Sequence, residues 1–226
     1  MPTVLVTGAN RGIGLGFAKH YAKEGWQVLG CCRSPAEAAA LKTLPGASVL
    51  ALDVADEASI ERLAKEVSGA RLDLLINNAG FGGPVGVDFG ATRQADWLPT
   101  LLTNTVGPYM MIERLAENVL ASEQKKIVSI TSGLGSIGEA TSGYAPIYSI
   151  SKAALNMGCK RIASTLGPRG AIVVVISPGW VKTAMGGPGA PLSVDQSVAG
   201  MTAVIAGLTK QDSGSFRNYD GKTLPW

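Results

Sequence analysis

Thr3-Val-Leu-Val-Thr7-Gly8-Ala-Asn-Arg11-Gly12-Ile-Gly14 decides the fold. A short apolar run enters a turn rich in glycine and passes straight into a helix-period segment. A strand must therefore bend sharply where backbone amides come close to something. Glycine permits both the bend and the approach, and a helix start presents unpaired N–H groups with the positive end of its dipole. That combination predicts a dinucleotide site lined by Gly8, Asn10, Arg11, Gly12, Ile13 and Gly14. The spacing Gly-x-x-x-Gly-x-Gly departs from the common Gly-x-Gly-x-x-Gly, and the alternative is a glycine-rich turn that binds nothing.

Outward from this turn, apolar runs alternate with helix-period segments along the whole chain. The runs at Val4–Thr7, Gln27–Cys32, Ser48–Ala51, Leu72–Asn77, Lys126–Ile130, Ala171–Ser177 and Ser215–Tyr219 read as strands. The pattern predicts an α/β fold: a single-domain, Rossmann-type, doubly wound parallel sheet of about seven strands with helices on both faces. Ile60, Leu63, Ala64 and Val67 form one helical stripe against that sheet. Ser34-Pro35-Ala36-Glu37 reads as a capping box with Pro in the first position, so a helix is expected from residue 35. The segment Gly186-Gly-Pro-Gly-Ala-Pro191 predicts a mobile substrate loop over about 181–195.

Composition narrows the class. The chain has 226 residues, 46% hydrophobic and 16% charged, which suits one domain over 1–226. A net charge of +3, without a Lys/Arg cluster, argues against nucleic acid as a partner. Position 1 leads directly into a strand with no signal-peptide pattern, so the mature chain is expected to start there. No apolar run approaches the roughly 18 residues a membrane span needs. A cytoplasmic protein is expected, without membrane contact. Cys31 and Cys32 are neighbours in a strand and Cys159 lies in a helix, which does not suggest a disulfide framework. No residues show metal-ligand spacing.

The end of the second strand bears on the cofactor. An acidic residue there, about 20 residues beyond the turn, would bind the ribose hydroxyls of NAD. The sequence instead reads Gly30-Cys-Cys-Arg-Ser34. Arg33, with Arg11 in the turn, would pair with a 2′-phosphate, so NADP(H) is the expected cofactor.

Tyr148-Ser-Ile-Ser-Lys152 sets a phenol and an ammonium one helical turn apart. A cation beside a phenol favours phenolate, so the Tyr148 pKa is expected to fall toward the working pH, as a general acid/base requires. Ser132, just past the fifth strand, could hold a carbonyl oxygen. Pro108, within a helical stretch over Trp97–Leu120, has no amide for the carbonyl of Asn104. That carbonyl could hold a water between Asn104 and Lys152, completing a proton relay, or Pro108 could serve only as a kink.

In this order the motifs resemble the short-chain dehydrogenases/reductases over the whole chain: Thr7-Gly8…Gly12…Gly14, Asp53-Val54, Asn77-Asn-Ala-Gly80, Asn104, Ser132, Tyr148…Lys152 and Pro178-Gly179. The resemblance implies that Asp53 and Val54 flank an adenine, and that Asn78, Ala79 and Gly80 line the cofactor. It implies that Pro178, Gly179, Val181 and Thr183 meet the nicotinamide end, where Tyr148 and Lys152 also touch cofactor. Asn77 would more often brace strands. Gly135-Ser-Ile137, Ser151-Lys-Ala-Ala-Leu-Asn-Met157 and Asn218-Tyr-Asp-Gly-Lys-Thr-Leu-Pro-Trp226 are similar to the C-factor and sniffer-type carbonyl reductase branch. The long interval between Ser132 and Tyr148 leaves Ser136 as a second candidate serine.

The expected function is therefore NADPH-dependent, reversible reduction of a small-molecule carbonyl, with Asn104, Ser132, Tyr148 and Lys152 as the catalytic set. The alternative is an NADP-binding signalling or regulatory protein of C-factor type. A hydrolase is disfavoured, since His20 lies in the first helix and reads as a packing or helix-surface residue. Phe81, Tyr144, Trp180, Met185 and Trp226 could wall an apolar pocket or serve as packing. The resemblance also implies a homodimer through the helices that carry Asn104 and Tyr148.

Overall fold

The computed structural model describes residues 1–226 apart from Val85, Gly86 and Asp88. Seven strands form one parallel sheet: β1 Thr3–Thr7, β2 Gln27–Cys32, β3 Ala47–Ala51, β4 Leu74–Asn77, β5 Lys126–Ile130, β6 Ile172–Ser177 and β7 Phe216–Asn218. Their order across the sheet is β3-β2-β1-β4-β5-β6-β7. The chain winds outward from β1 to β3, then returns to the other side of β1 with β4. Between β1 and β4 the winding reverses, and there a cleft opens beyond the carboxyl ends of the strands. The expected doubly wound sheet is the observed one.

Helices cover both faces: α1 Gly12–Lys23, α2 Ala39–Lys42, α3 Glu57–Glu66, α4 Gln94–Leu101, α5 Gly107–Leu120, α6 Pro146–Leu166 and α7 Val194–Gly207. Alternation along the strands supplies two separate cores. Leu5, Leu75 and Ile127 face α3, α5 and α6, while Val4, Val6, Leu74 and Val128 face α1 and α7. Ile60, Leu63 and Val67 carry the expected stripe into the first core. Cys31, Cys32 and Cys159 are buried free thiols. Among the described residues no helix is long and apolar enough to cross a membrane.

Two local expectations differ from what is observed. Residues Pro35–Glu37 form only a 3-10 turn, and the Ser34 side chain caps nothing. The helix proper starts at Ala39, because docking of Leu41 decides its place. A Cβ at Gly30 would stand 2.7 Å from Leu41 Cδ2, so the leucine fills the gap that the glycine leaves in β2. Nor is Trp97–Leu120 one helix. A π-helical turn over Leu102–Val106 separates α4 from α5, and Asn104 sits inside it, fully buried. Pro108 directly follows, unable to donate to the Asn104 carbonyl, and a wide turn is a usual response to such a gap.

Candidate active site

The phosphate turn has the form its sequence implies. Gly8 and Gly12 have φ of 66° and 54°, a region favourable only to glycine. Arg11 occupies the N-cap of α1 without a side-chain hydrogen bond, and the first turn of α1 holds no acidic residue. The leading amides are thus unmet by a side chain and face a region of positive potential. A Cβ at Gly12 would reach Thr183 Cγ2 at 3.7 Å, so the turn lies opposite the segment following β6. Glycine floor, uncapped amides and Thr183 together fit a dinucleotide pyrophosphate.

The turn is tied to the next strand end by Thr7, a residue without an assigned role in the sequence reading. Its hydroxyl accepts from the Asn78 and Ala79 amides at 3.0 and 2.9 Å. The Asn78 carboxamide donates to the Thr7 carbonyl at 2.9 Å and to Gly8 at 3.3 Å. Asn78 therefore laces β1 to β4 with its side chain and can face a cofactor only through what remains. Asn77 is buried and donates to the Pro108 carbonyl at 3.3 Å, a bracing contact between β4 and α5. Asp53 accepts from the Ala55 amide at 3.0 Å, and Val54 beside it is buried. Arg11 and Arg33 are both exposed, and neither joins an ion pair among the described residues.

Beyond β6 the chain is held in a closed loop. Pro178 accepts from the Ser197 hydroxyl at 2.7 Å, Gly179 has φ of 76°, and Val181 bridges to Leu192. Thr183 Oγ1 accepts from Gly186 at 3.0 Å, and the Trp180 indole donates to the Gly186 carbonyl at 2.8 Å.

Helix α6 brings Tyr148 and Lys152 to this edge. Ala145 caps it with φ of 46°, and Pro146 follows as a first helical residue. Lys152 is 3% exposed, and its ammonium donates to the Ile130 carbonyl at 2.9 Å and stands 5.8 Å from the centre of the Tyr148 ring. A Cβ at Gly80 would be 3.6 Å from Asn104 Oδ1 and 3.8 Å from Lys152 Nζ, so Asn104 and Lys152 converge on one glycine. The Asn104 side chain pairs with the Phe81 backbone in both directions at 2.8 Å and donates to the Ser151 hydroxyl at 3.0 Å. Ser151, between Tyr148 and Lys152, thus ties the π-turn to α6. Its position three residues after Tyr148 is the signal that could have found it.

Ser132 caps the short turn Gly133–Gly135, accepting from Leu134 at 3.2 Å. Its hydroxyl stands near enough to the Tyr148 phenol to favour the ionised form. Ser136 does not share that role. It is 2% exposed and donates to the Pro225 carbonyl at 2.7 Å, so it clasps the last residues of the chain. The Trp226 ring packs on Phe216, with centres 5.7 Å apart, and under Lys160. Phe81, Tyr144, Trp180 and Met185 remain exposed.

The electrostatics run against one expectation. Burial pushes the Tyr148 phenol above its ordinary value, and the neighbouring Ser132 hydroxyl only partly opposes it. The ammonium is the group that yields: burial brings Lys152 down to about 8. A buried charge is penalised whichever group carries it, and here desolvation outweighs the pairing that the i, i+4 spacing suggests.

Residues 2–190 match the family model for short chain dehydrogenases. The chain belongs to that family. Among curated relatives, the C-signal protein of Myxococcus xanthus is 38% identical over 163 residues, covering 72% of this chain and 98% of the other. The 1-hydroxy-2-glutathionyl-2-methyl-3-butene dehydrogenase of a Rhodococcus species is 33% identical, with both chains covered completely. Two solved family members superpose with a TM-score of 0.92. One is the carbonyl reductase Sniffer of D. melanogaster, 32% identical with both chains fully covered. The other is the NADPH-bound carbonyl reductase from chicken fatty liver, 35% identical and covering all of this chain and 99% of that one. The sniffer and C-factor branch of the family is thereby shown, and with it an oxidoreductase.

The depressed Lys152 value has a consequence for stability. Below about 8 the folded chain carries the full penalty of a buried ammonium, and above 10.5 the group is neutral folded or unfolded, so the penalty is gone. Replacing Lys152 with Met should change the stability gap to the parent by about 3 kcal/mol, in the parent's favour, as pH rises through that window. Urea unfolding at stepped pH measures it, and a gap independent of pH would refute the assignment.

Proposed function

We propose that the chain reduces aldehydes and ketones to alcohols with NADPH, reversibly, Tyr148 acting as proton donor in that direction. The observation that carries this reading is the buried Lys152 ammonium, 5.8 Å from the centre of the Tyr148 ring and converging with Asn104 on Gly80 at the mouth of a dinucleotide cleft. NADPH, when bound, supplies a hydride to the carbonyl carbon and leaves as NADP⁺. The chain's own groups manage the oxygen. Ser132 donates to it and fixes its place, and Tyr148 passes it a proton as negative charge develops. A phenol held above its ordinary pKa is protonated at neutral pH, which is the state a donor needs. Lys152 reprotonates the tyrosine, and the carbonyl of Asn104, which Pro108 cannot bond, anchors the water that resupplies Lys152.

The cofactor assignment rests on the pyrophosphate-binding turn together with Arg11 and Arg33, two exposed cations placed for a 2′-phosphate. Gly8, Asn10, Gly12, Ile13 and Gly14 hold the pyrophosphate, Asp53 and Val54 the adenine, and Ala79, Gly80, Pro178, Gly179, Val181 and Thr183 the nicotinamide half. Phe81, Tyr144, Trp180 and Met185 offer apolar surface to the rest of the substrate. The loop over 181–195 serves as the cover of that pocket. The C-signal relative favours a second reading, an NADP-binding regulator in which turnover is incidental. A homodimer is also proposed, through the outer face of α4, α5 and α6. Leu98, Tyr109, Ile150 and Met157 on these helices, and Leu102 and Val106 in the π-turn between α4 and α5, are exposed.

Tyr148→Phe should lower carbonyl-dependent NADPH oxidation by about 10²- to 10⁴-fold and leave NADPH binding, followed by fluorescence, unchanged. Parental turnover would rule out the mechanism. A parent that binds NADPH but oxidises it with no aldehyde, diketone or quinone would shift the balance to the regulator. Arg33→Asp should raise KM for NADPH about tenfold or more without a matching change for NADH. Equal effects on both would remove Arg33 from the site. Val106→Asp with Met157→Lys should convert a dimer to monomer in sedimentation, and an unchanged mass would refute that face.

A further inference from the structure

Asn156 lies on α6 one turn beyond Lys152 and two beyond Tyr148, so the three side chains share a stripe. It is 3% exposed. Neighbouring buried positions on the helix, Leu155, Cys159 and Ile162, are apolar or nearly so, and packing alone would be met by another such residue. The carboxamide is instead used at both ends. Its Oδ1 accepts from Thr131 Oγ1 at 2.7 Å, and its Nδ2 donates to the Gly135 carbonyl at 3.1 Å.

Those two partners straddle Ser132. Thr131 precedes it directly, and Gly135 closes the turn that Ser132 caps. The same turn rests on the helix: a Cβ at Gly135 would stand 2.9 Å from Lys152 Cβ and 3.0 Å from the Lys152 carbonyl carbon. Helix α6 therefore holds the serine segment at both ends and carries the phenol itself, while β6 supports the other side of the segment through the Thr131 and Gly133 amides on Ile176 and Ser177.

We infer that Asn156 is a positioning residue that sets Ser132 relative to Tyr148 by clamping residues 131–135 to the helix bearing the proton donor. The inference rests on the catalytic reading of Ser132 and Tyr148 given above. A substrate oxygen must meet a serine donor and a phenol donor at once, and small errors in such a geometry are costly. Without the clamp the serine segment keeps its cap but loses its register on α6. The substrate oxygen then finds one donor displaced, and the phenol loses a neighbouring hydroxyl that favours its ionised form.

Asn156→Leu should lower kcat/KM for the carbonyl by about 10²-fold with the NADPH Kd unchanged. The alkaline limb of the pH–rate profile should move to higher pH, as in Ser132→Ala. In the Ser132→Ala background, adding Asn156→Leu should cost no more than about twofold, because the group it positions is gone. Thr131→Val, which removes one of the two bonds, should give a smaller loss in the same direction, and Thr131→Ser should recover most of it. Losses that multiply in the double variant, or a lowered Tm with parental kcat/KM, would overturn the inference. If Asn156→Leu does not fold, the Thr131 pair carries the same test in both backgrounds. Parental turnover in Ser132→Ala would bring down the catalytic reading and this inference together. A slow Ser132→Ala beside a parental Asn156→Leu would bring down this inference alone.

Discussion

An ammonium with 3% exposure, held by the carbonyl of Ile130 at the end of a central strand, is the constraint around which this edge of the molecule is built. Burial of a charge is unfavourable by several kcal/mol unless polar partners are fixed around it. Lys152 meets that demand only where α6 docks against β5 in a single register. Once the register is set, Tyr148 comes to the cleft mouth, Ser151 to the π-turn and Asn156 to the serine segment. A helix that could slide or rotate would strand the ammonium among apolar neighbours. The destabilised cation and the alignment of Tyr148, Ser151 and Asn156 have one cause.

The same edge is cross-linked sideways by short polar side chains. Thr7 and Asn78 join the phosphate turn to the end of β4, Asn104 joins the loop after β4 to α6 through Ser151, and Asn156 joins α6 to the end of β5. Loops at strand ends are ordinarily the most adaptable parts of a domain. Here these three are bonded to one another, so the glycine turn and the cleft edge near Tyr148 are parts of one hydrogen-bond network.

What could be read in the sequence follows from how local each signal is. Strands buried on both faces are continuous apolar runs such as Val4–Val6 and Ile172–Ile176, and their ends were legible to within a residue or two. Glycines at the first turn announce a backbone requirement that no other residue meets. The segment after Arg33 was misread because Ser34 and Glu37 are a local signal, whereas Leu41 filling the notch at Gly30 is a tertiary one, and tertiary packing prevailed. Pro108 marked a defect in its helix but not its form. Ser136 has its partner 89 residues away and Asn78 has partners 70 and 71 residues away, so no spacing rule could separate their bonds from those of a ligand-facing side chain. The direction of the Tyr148 shift was equally illegible, because it depends on burial, which a sequence gives only on average.

All seven strands run the same way, and this divides the molecule into two unequal ends. The network just described joins connections that emerge from the carboxyl ends of β1, β4 and β5. The connections that lead into the strands, at residues 24–26, 43–46, 67–73, 121–125, 167–171 and 208–215, lie at the far end of the sheet. Length and composition there are free of the demands of the cleft. Affinity handles, fluorophores or a fused second domain belong at that end, and drift among relatives should accumulate there first.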